Sequence, residues 1–444
     1  MKAAVVGLGV EGKKASKSLI EHDWDVYATD SNTDIDLEEL GISIADATIY
    51  ASRDKISIGT SKISIDLGSM DKEMIKRCDA IVLSPSLWNS KIANELQKTG
   101  KLICDVLKKH KEIFTLGITG TNGKTTSSSM LKEILEKAGK KVLIGGNAGG
   151  GFQGYCEILI EAETESYDFI IVEVCDMTLD FCKYCFDFDL LGLTNIGNDH
   201  INVHGSLKNY KLSLLDFFEN KNIIIYENEE DNEKFKKLAN EFSTYSNFED
   251  ELNIIGDFNR LNAGLASSIA KYLDIDEKII KDSLRNFEAI EGRLKKFKLN
   301  DSDIYIGKTD NSHAIKYIIN EKNFYAAFIG TPRHSEKHRF DILNEVSKSN
   351  PEVIVLFPGL EDTIDLALER LEEINYTGKI EVANNIDEII EFIAEYSHEE
   401  AIFIGGNGQD IIIDVQNRLA LLTKSCSWYL EYSKFCNLRK YSIF

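Results

Sequence analysis

The chain has 444 residues, 43% of them hydrophobic, and 4 prolines. That length suits about two to four domains, and the composition excludes a disordered chain. Acids outnumber bases by 73 to 51, a formal charge of −22, which argues against nucleic acid or an anionic membrane as a partner.

No apolar run reaches the ~18 residues of a membrane helix. The chain opens on a strand, not a secretory leader, and its 8 cysteines are irregularly spaced. A cytoplasmic protein with free thiols is therefore expected. Ala3 to Gly9 reads as a buried strand running into a turn, Lys13 to His22 as a helix, Asp25 to Asp30 and Ala80 to Leu83 as further strands. Alternation of strands and helices predicts a parallel, doubly wound sheet over residues 1–109. The pattern restarts with a strand at Ile113–Ile118, a glycine-rich loop and a helix at Ser127–Ala138. Strands at Lys141–Ile144, Phe169–Glu173, Leu190–Asn195 and Asn222–Tyr226, with helices at Leu207–Phe218 and Asn259–Leu273, complete a second α/β domain, 110–291. A third, 292–423, has strands at Ile304–Gly307, Tyr325–Gly330, Val353–Phe357, Ile380–Ala383 and Ala401–Gly405. The aromatic tail 424–444 has no assigned role.

The second domain carries the strongest signal, Gly117-Ile-Thr-Gly-Thr-Asn-Gly-Lys-Thr-Thr126 between a strand and a helix. Glycines let successive amides curl toward phosphate oxygens, and the helix N-terminus adds its dipole. Lys124 supplies positive charge for the outer phosphates and Thr125 a hydroxyl for magnesium. The strict spacing of this loop type would place glycine at Ile118, so the loop is a variant. Glu173, ending an apolar strand, stands where a magnesium carboxylate is needed.

Thr119-Gly-Thr-Asn-Gly-Lys-Thr-Thr126 resembles the ATP loop of the Mur ligase family, and further matches follow in chain order. They are Gly146-Asn147, Glu173, Leu193-Thr-Asn195 with Asp199-His200 and His204-Gly205, Gly256-Asp-Phe-Asn259-Arg-Leu-Asn262 and Gly292-Arg293. The resemblance implies a three-domain α/β ligase: a Rossmann-like N-terminal domain, a P-loop ATPase central domain and a Rossmann-like C-terminal domain. It implies ATP and magnesium as cofactors. The family activates a carboxylate of a UDP-linked cell-wall precursor as an acyl phosphate, which the amine of an amino acid or peptide attacks.

Carried over residue by residue, Gly120, Thr121, Asn122, Gly123, Lys124, Thr125 and Thr126 cradle the phosphates. Arg293 reaches them, and Asn259 and Asn262 hold adenine. Thr125, Glu173 and His200 handle metal, with His200, Lys124 and Lys308 in the catalytic set. Asn147 lies on the precursor side. Lys308 resembles a lysine of the D-glutamate-adding branch, with Thr309, Asp310, Asn311 and Arg333 as neighbours of the incoming amino acid. Gly405-Gly-Asn-Gly408 resembles a late loop of the same cleft.

The N-terminal Gly7-Leu-Gly9-Val-Glu-Gly12, with Asp30 about twenty residues on, reads by mechanism as a dinucleotide fingerprint. In the alanine- and glutamate-adding branches that fold holds the UDP, which implies Gly7, Gly9, Gly12, Asp30 and Ser84 as its site. Phe258 stands where the family has histidine. Leu214 stands four residues after Tyr210, where most members carry a lysine that is carbamylated and holds a second magnesium. A leucine there predicts no carbamyl-lysine site. The loose match also suits archaeal relatives that build pseudomurein, which is favoured over a divergent bacterial enzyme. The alternatives are a nucleotide-binding regulator without ligase activity and a similar ligase acting on a cofactor. Cys182 and Cys185 read as buried free thiols rather than a zinc site, and a monomer is expected.

Overall fold

The computed structural model describes residues 1–36, 40, 48–51, 55–147, 152–197 and 204–422. The chain forms two compact units, Met1–Glu251 with Leu261–Arg285, and Leu252–Arg260 with the chain from Asn286 on.

The first unit holds two sheets. Strands β1 (Lys2–Val6), β2 (Asp25–Asp30), β3 (Thr48–Ala51), β4 (Ile56–Gly59), β5 (Ile63–Leu67) and β6 (Ala80–Leu83) lie in the order β3-β4-β5-β2-β1-β6. Unbroken apolar runs in β1 and β6 mark strands buried on both faces. Helix α1 (Val10–Glu21) follows β1. The expectation of a purely parallel sheet fails at one edge, where β3, β4 and β5 pair antiparallel. Only residues 60–62 separate β4 from β5, and Thr60 N–H bonds Ile63 O at 2.8 Å. So short a connection cannot make a parallel crossover.

The second sheet is parallel throughout its described pairs. It contains β7 (Phe114–Thr119), β8 (Val142–Gly146), β9 (Gln153–Gly154), β10 (Phe169–Glu173), β11 (Leu190–Leu193), β12 (Asn222–Tyr226) and β13 (Glu241–Tyr245), ordered β13-β12-β11-β7-β10-β8-β9. Helix α2 (Lys124–Lys137) leaves the end of central β7. Helices α3 (Tyr155–Thr164) and α4 (Leu207–Phe218) pack on the same sheet's core. The order turns at β7, so its carboxyl end opens a crevice between β10 and β11 where ligands of such sheets bind.

Helix α5 (Asp257–Tyr272) belongs to the second unit up to Arg260 and to the first from Leu261 on. In the second unit β14 (Lys295–Leu299), β15 (Ser302–Ile306), β16 (Ala326–Gly330), β17 (Val353–Phe357), β18 (Lys379–Val382) and β19 (Ala401–Gly406) lie in the order β14-β15-β19-β16-β17-β18. Apolar clusters cover both faces of the sheet. Strand β14, unforeseen from the sequence, pairs antiparallel with β15 through a tight turn at Asn300, whose φ is +48°. Helix α6 (Ser312–Glu321) is capped by Asn311, whose Oδ1 accepts from Ala314 N–H at 2.8 Å.

Candidate active site

The phosphate loop runs from the end of β7 into α2. Gly120 and Gly123 have φ of +128° and +85°, which glycine adopts without strain. A Cβ on Gly120 would stand 2.2 Å from Thr194 Oγ1, and one on Gly123 would stand 2.1 Å from Asn262 Oδ1. Gly117 belongs to β7 rather than to the loop, and its missing side chain makes room for Leu191 and Phe188.

Asn195, after β11, braces the loop. Its carbonyl accepts from Thr121 N–H at 2.9 Å, its Oδ1 accepts from Asn122 N–H at 3.1 Å, and its Nδ2 donates to Asn122 O at 2.8 Å. Thr121 Oγ1 accepts from Gly197 N–H at 2.8 Å. Lys124 Nζ arches over the loop to Gly120 O at 2.6 Å and Thr121 O at 2.8 Å. A lysine so placed faces whatever the loop encloses. Thr125 and Thr126 open α2 and are buried. Asn262 sits against Gly123, and its Oδ1 accepts from Ser127 Oγ at 3.4 Å.

Glu173 ends β10 in register with Ile118 of β7 and Gly146 of β8. It is 1% exposed. Its Oε1 accepts from Asn147 Nδ2 at 3.0 Å, whereas its buried Oε2 has no hydrogen-bond partner. An orphaned carboxylate oxygen beside a phosphate loop suits a divalent cation, because burial without a counter-charge is costly. Gly146, at φ +122°, lets Asn147 N–H reach Glu173 O at 3.0 Å.

His200 and Asp199 lie outside the described residues. His204, next in the same motif, stands 3.4 Å from buried Asp176 Oδ2 and packs tilted against Tyr210, ring centroids 4.9 Å apart. Leu214 is fully buried in α4, on the face shared with Tyr210, Phe217 and Phe218. Lys211 is committed elsewhere, 2.7 Å from Asp231. Six described cysteines, Cys182 and Cys185 among them, are buried and free. Among the described residues no three His, Cys, Asp or Glu side chains group to hold a metal.

In the first sheet the glycine turn divides its labour. Gly7 has φ +93°, and a Cβ on Gly12 would overlap Gly7 O at 1.8 Å. Gly9 meets nothing within 4 Å, so packing does not require glycine there. Asp30 is occupied by its own neighbourhood: Leu8 N–H donates to Oδ2 at 2.6 Å and Asn32 N–H to Oδ1 at 2.8 Å. Each Asp30 oxygen thus takes one backbone N–H and keeps a second lone pair for a further donor. Ser84 is buried at the end of β6, its Oγ 3.0 Å from Ser86 Oγ.

In the second unit, Asn259 Nδ2 donates to Ile255 O at 2.6 Å. The Gly292-Arg293 turn is held by Gln416, which accepts from Gly292 N–H at 2.9 Å and donates to Arg293 O at 2.8 Å. Lys308 Nζ lies 3.2 Å from Asp310 Oδ2, and Arg339 Nη1 reaches the same oxygen at 3.3 Å. Arg339 also donates to Asn407 Oδ1 at 3.1 Å and lies 3.5 Å from Glu336. Burial pushes the Asp310 carboxyl up, but Lys308, Arg339 and Arg293 together hold it far below the usual carboxylate range. The arginine that meets Asp310 is Arg339, while Arg333 meets the cluster only at Glu336. Arg333 is half exposed, 3.9 Å from Glu336, because it precedes the turn His334–Phe340 that carries Arg339 inward. Asn311, next to Asp310 in the chain, caps its own helix through Oδ1. Asn195 stands in the Leu193-Thr-Asn195 match, Arg339 in a basic run with Arg333, His334 and His338 after β16, and Asn407 in the late glycine loop, whereas Gln416 carries no signal in the sequence.

A phosphate loop at a sheet's switch point with a strand-end glutamate beside it defines a nucleotide-binding α/β protein equipped for phosphoryl transfer. Residues 118–254 match the Mur ligase middle domain, and the chain is related to the Mur ligases. It is 27% identical over 326 residues to the UDP-N-acetylmuramoylalanine-D-glutamate ligase of Caldanaerobacter subterraneus subsp. tengcongensis, covering 66% of this chain and 67% of that one. Against the enzyme of the same description from Petrotoga mobilis it is 22% identical, covering 89% and 91%. The fold is shared with a pseudomurein peptide ligase type C from Methanothermus fervidus at TM-score 0.58 and 19% identity, covering 94% of this chain and 99% of that one. It is shared equally with UDP-N-acetylmuramate-alanine ligase from Thermotoga maritima, at 0.59 and 17%, covering 96% and 100%.

Proposed function

We propose that the chain joins an amino acid or peptide to a carboxylate of a UDP-linked murein or pseudomurein precursor, using ATP and passing through an acyl phosphate. The observation that carries this reading is the orphaned Glu173 oxygen beside a fully braced phosphate loop, in a stretch matching the Mur ligase middle domain.

In this reading the amides of Gly120 to Gly123 and Lys124 bind the phosphates. Thr125 and Glu173 hold magnesium, which when bound supplies charge for the phosphoryl transfer. Asn262 and Asn259 serve the adenine, and Arg293 the phosphates. The turn at Gly7–Gly12 with Ser84 takes the UDP end, while Asn147 faces the precursor. Lys308 and its neighbours orient the amine. The acceptor carboxylate attacks the γ-phosphorus and ADP leaves. The amine then attacks the acyl carbon and expels phosphate, so one amide forms per ATP consumed. No helix among the described residues is long and apolar enough to cross a membrane.

The test is phosphate release from ATP with UDP-N-acetylmuramate or UDP-N-acetylmuramoylalanine and a panel of amino acids. Release that requires both acceptor and amine supports the ligase. The buried Leu214 favours one second reading, a nucleotide-binding regulator. Phosphate release indifferent to every acceptor and amine would establish that instead.

A further inference from the structure

The charged cluster of the second unit is unusually self-contained. Two cations, Lys308 and Arg339, face two carboxylates, Asp310 and Glu336, at 3.2–3.5 Å. Asp310 bridges both cations through one oxygen. Arg339 is 7% exposed and Glu336 13%. Two further cations bear on the group. Arg293 acts on Asp310 electrostatically and is assigned above to the phosphates, and half-exposed Arg333 touches Glu336 at 3.9 Å. Asn407, wholly buried, accepts from Arg339 through its Oδ1, and its Nδ2 has no hydrogen-bond partner. That donor is directional but uncharged.

A ligand carboxylate can take Lys308, displacing Asp310 from it. Asp310 nevertheless stays beside it on Arg339. Among the described residues a second ligand carboxylate would find no uncommitted cation here and would lie against Asp310. Repulsion of that kind in a partly desolvated site discriminates more strongly than a missing attraction. Resting on the ligase reading, we infer that Asp310 is a specificity-determining residue which excludes dicarboxylic amino acids, so that the amine donor carries one carboxylate and an uncharged or cationic remainder. The chain therefore differs in donor from the D-glutamate ligases it resembles in sequence.

Glutamate with glutamine, and aspartate with asparagine, are near-isosteric pairs that differ in this charge. Their binding to the full chain is measured calorimetrically with ADP and magnesium, in both enantiomers, alongside the phosphate-release panel. The expected result is that each amide binds at least about tenfold tighter than its acid, and that Asp310→Asn narrows the ratio about tenfold. Asp310→Ser serves if the asparagine variant fails to fold. Tighter binding of either acid, preferred turnover of glutamate or aspartate, or a ratio unmoved by the substitution overturns the inference. If no amino acid binds or alters phosphate release, the ligase reading itself fails and the inference falls with it. If turnover appears but prefers an acid, only the inference falls.

Discussion

At the scale of single residues, the phosphate loop depends on two positions that differ in what they tolerate. Gly123 combines φ +85° with contact to Asn262. Gly123→Ala should cost about 1–3 kcal/mol of stability through backbone strain alone, and displacing Asn262 should abolish ADP binding. Urea unfolding and calorimetry measure the two effects. Asn195 is replaceable structurally but holds Asn122 at both its N–H and its C=O. Each such bond contributes about 1 kcal/mol, so Asn195→Ala should weaken ADP binding roughly tenfold or more while the protein remains folded. Unchanged ADP affinity in that variant would show that the brace is incidental.

At the scale of elements, α3 begins where the first sheet meets the second within one unit. Glu11, from the glycine turn, accepts from Cys156 N–H at 3.2 Å in the first turn of α3, and Lys14 Nζ reaches Phe152 O at 2.7 Å. Burial, opposed by the Cys156 and Tyr155 amides and reinforced by Glu157, pushes the Glu11 carboxyl up to about 7. A carboxyl raised on folding binds more protons folded than unfolded, so its contribution to stability falls as pH rises from about 4.5 to about 7. Glu11→Gln keeps the accepting oxygen and removes the titration. The stability difference between pH 5 and pH 8 should therefore shrink in that variant, as followed by urea denaturation. An identical pH profile would remove Glu11 as its cause.

Helix α4 carries the other element-scale prediction. Tyr210, Leu214, Phe217 and Phe218 form its buried stripe, so position 214 belongs to the core. Leu214→Ala should cost about 2–5 kcal/mol. Carbon-13 NMR of the active protein with labelled bicarbonate should show no lysine carbamate, and a carbamate resonance would contradict the assignment of this helix.

At the scale of the molecule, a formal charge of −22 makes self-repulsion a standing cost of the folded state. The Debye length falls from roughly 30 Å at 0.01 M salt to roughly 8 Å at 0.15 M. The melting temperature should rise over that range, as read by calorimetry. A fall would mean that the many surface ion pairs, such as Lys72–Glu95 and Lys281–Asp250, outweigh the net charge.

Short-range physics made much of the chain legible. Apolar runs gave the parallel strands β1, β6, β7, β10 and β17, and glycines before Lys124 gave the loop, because strand burial and positive φ are properties of a few consecutive residues. Strands β3, β4, β5, β9, β13 and β14 were missed. β3, β9, β13 and β14 are edges, and β4 and β5 are short hairpin strands that interleave polar residues, so the apolar signal is weak. What the tertiary structure alone decided are pairings across long separations. Asn195 lies 73 residues from the Asn122 it braces, Asn407 lies 68 from Arg339, and Glu11 lies 145 from Cys156. The sequence by itself determined a phosphate loop, a strand-end glutamate and three α/β sheets. Which oxygen of Glu173 stays orphaned, which arginine turns inward and which acid neutralises Lys308 are set by neighbours that only folding brings within 4 Å, where charge and hydrogen bonding act.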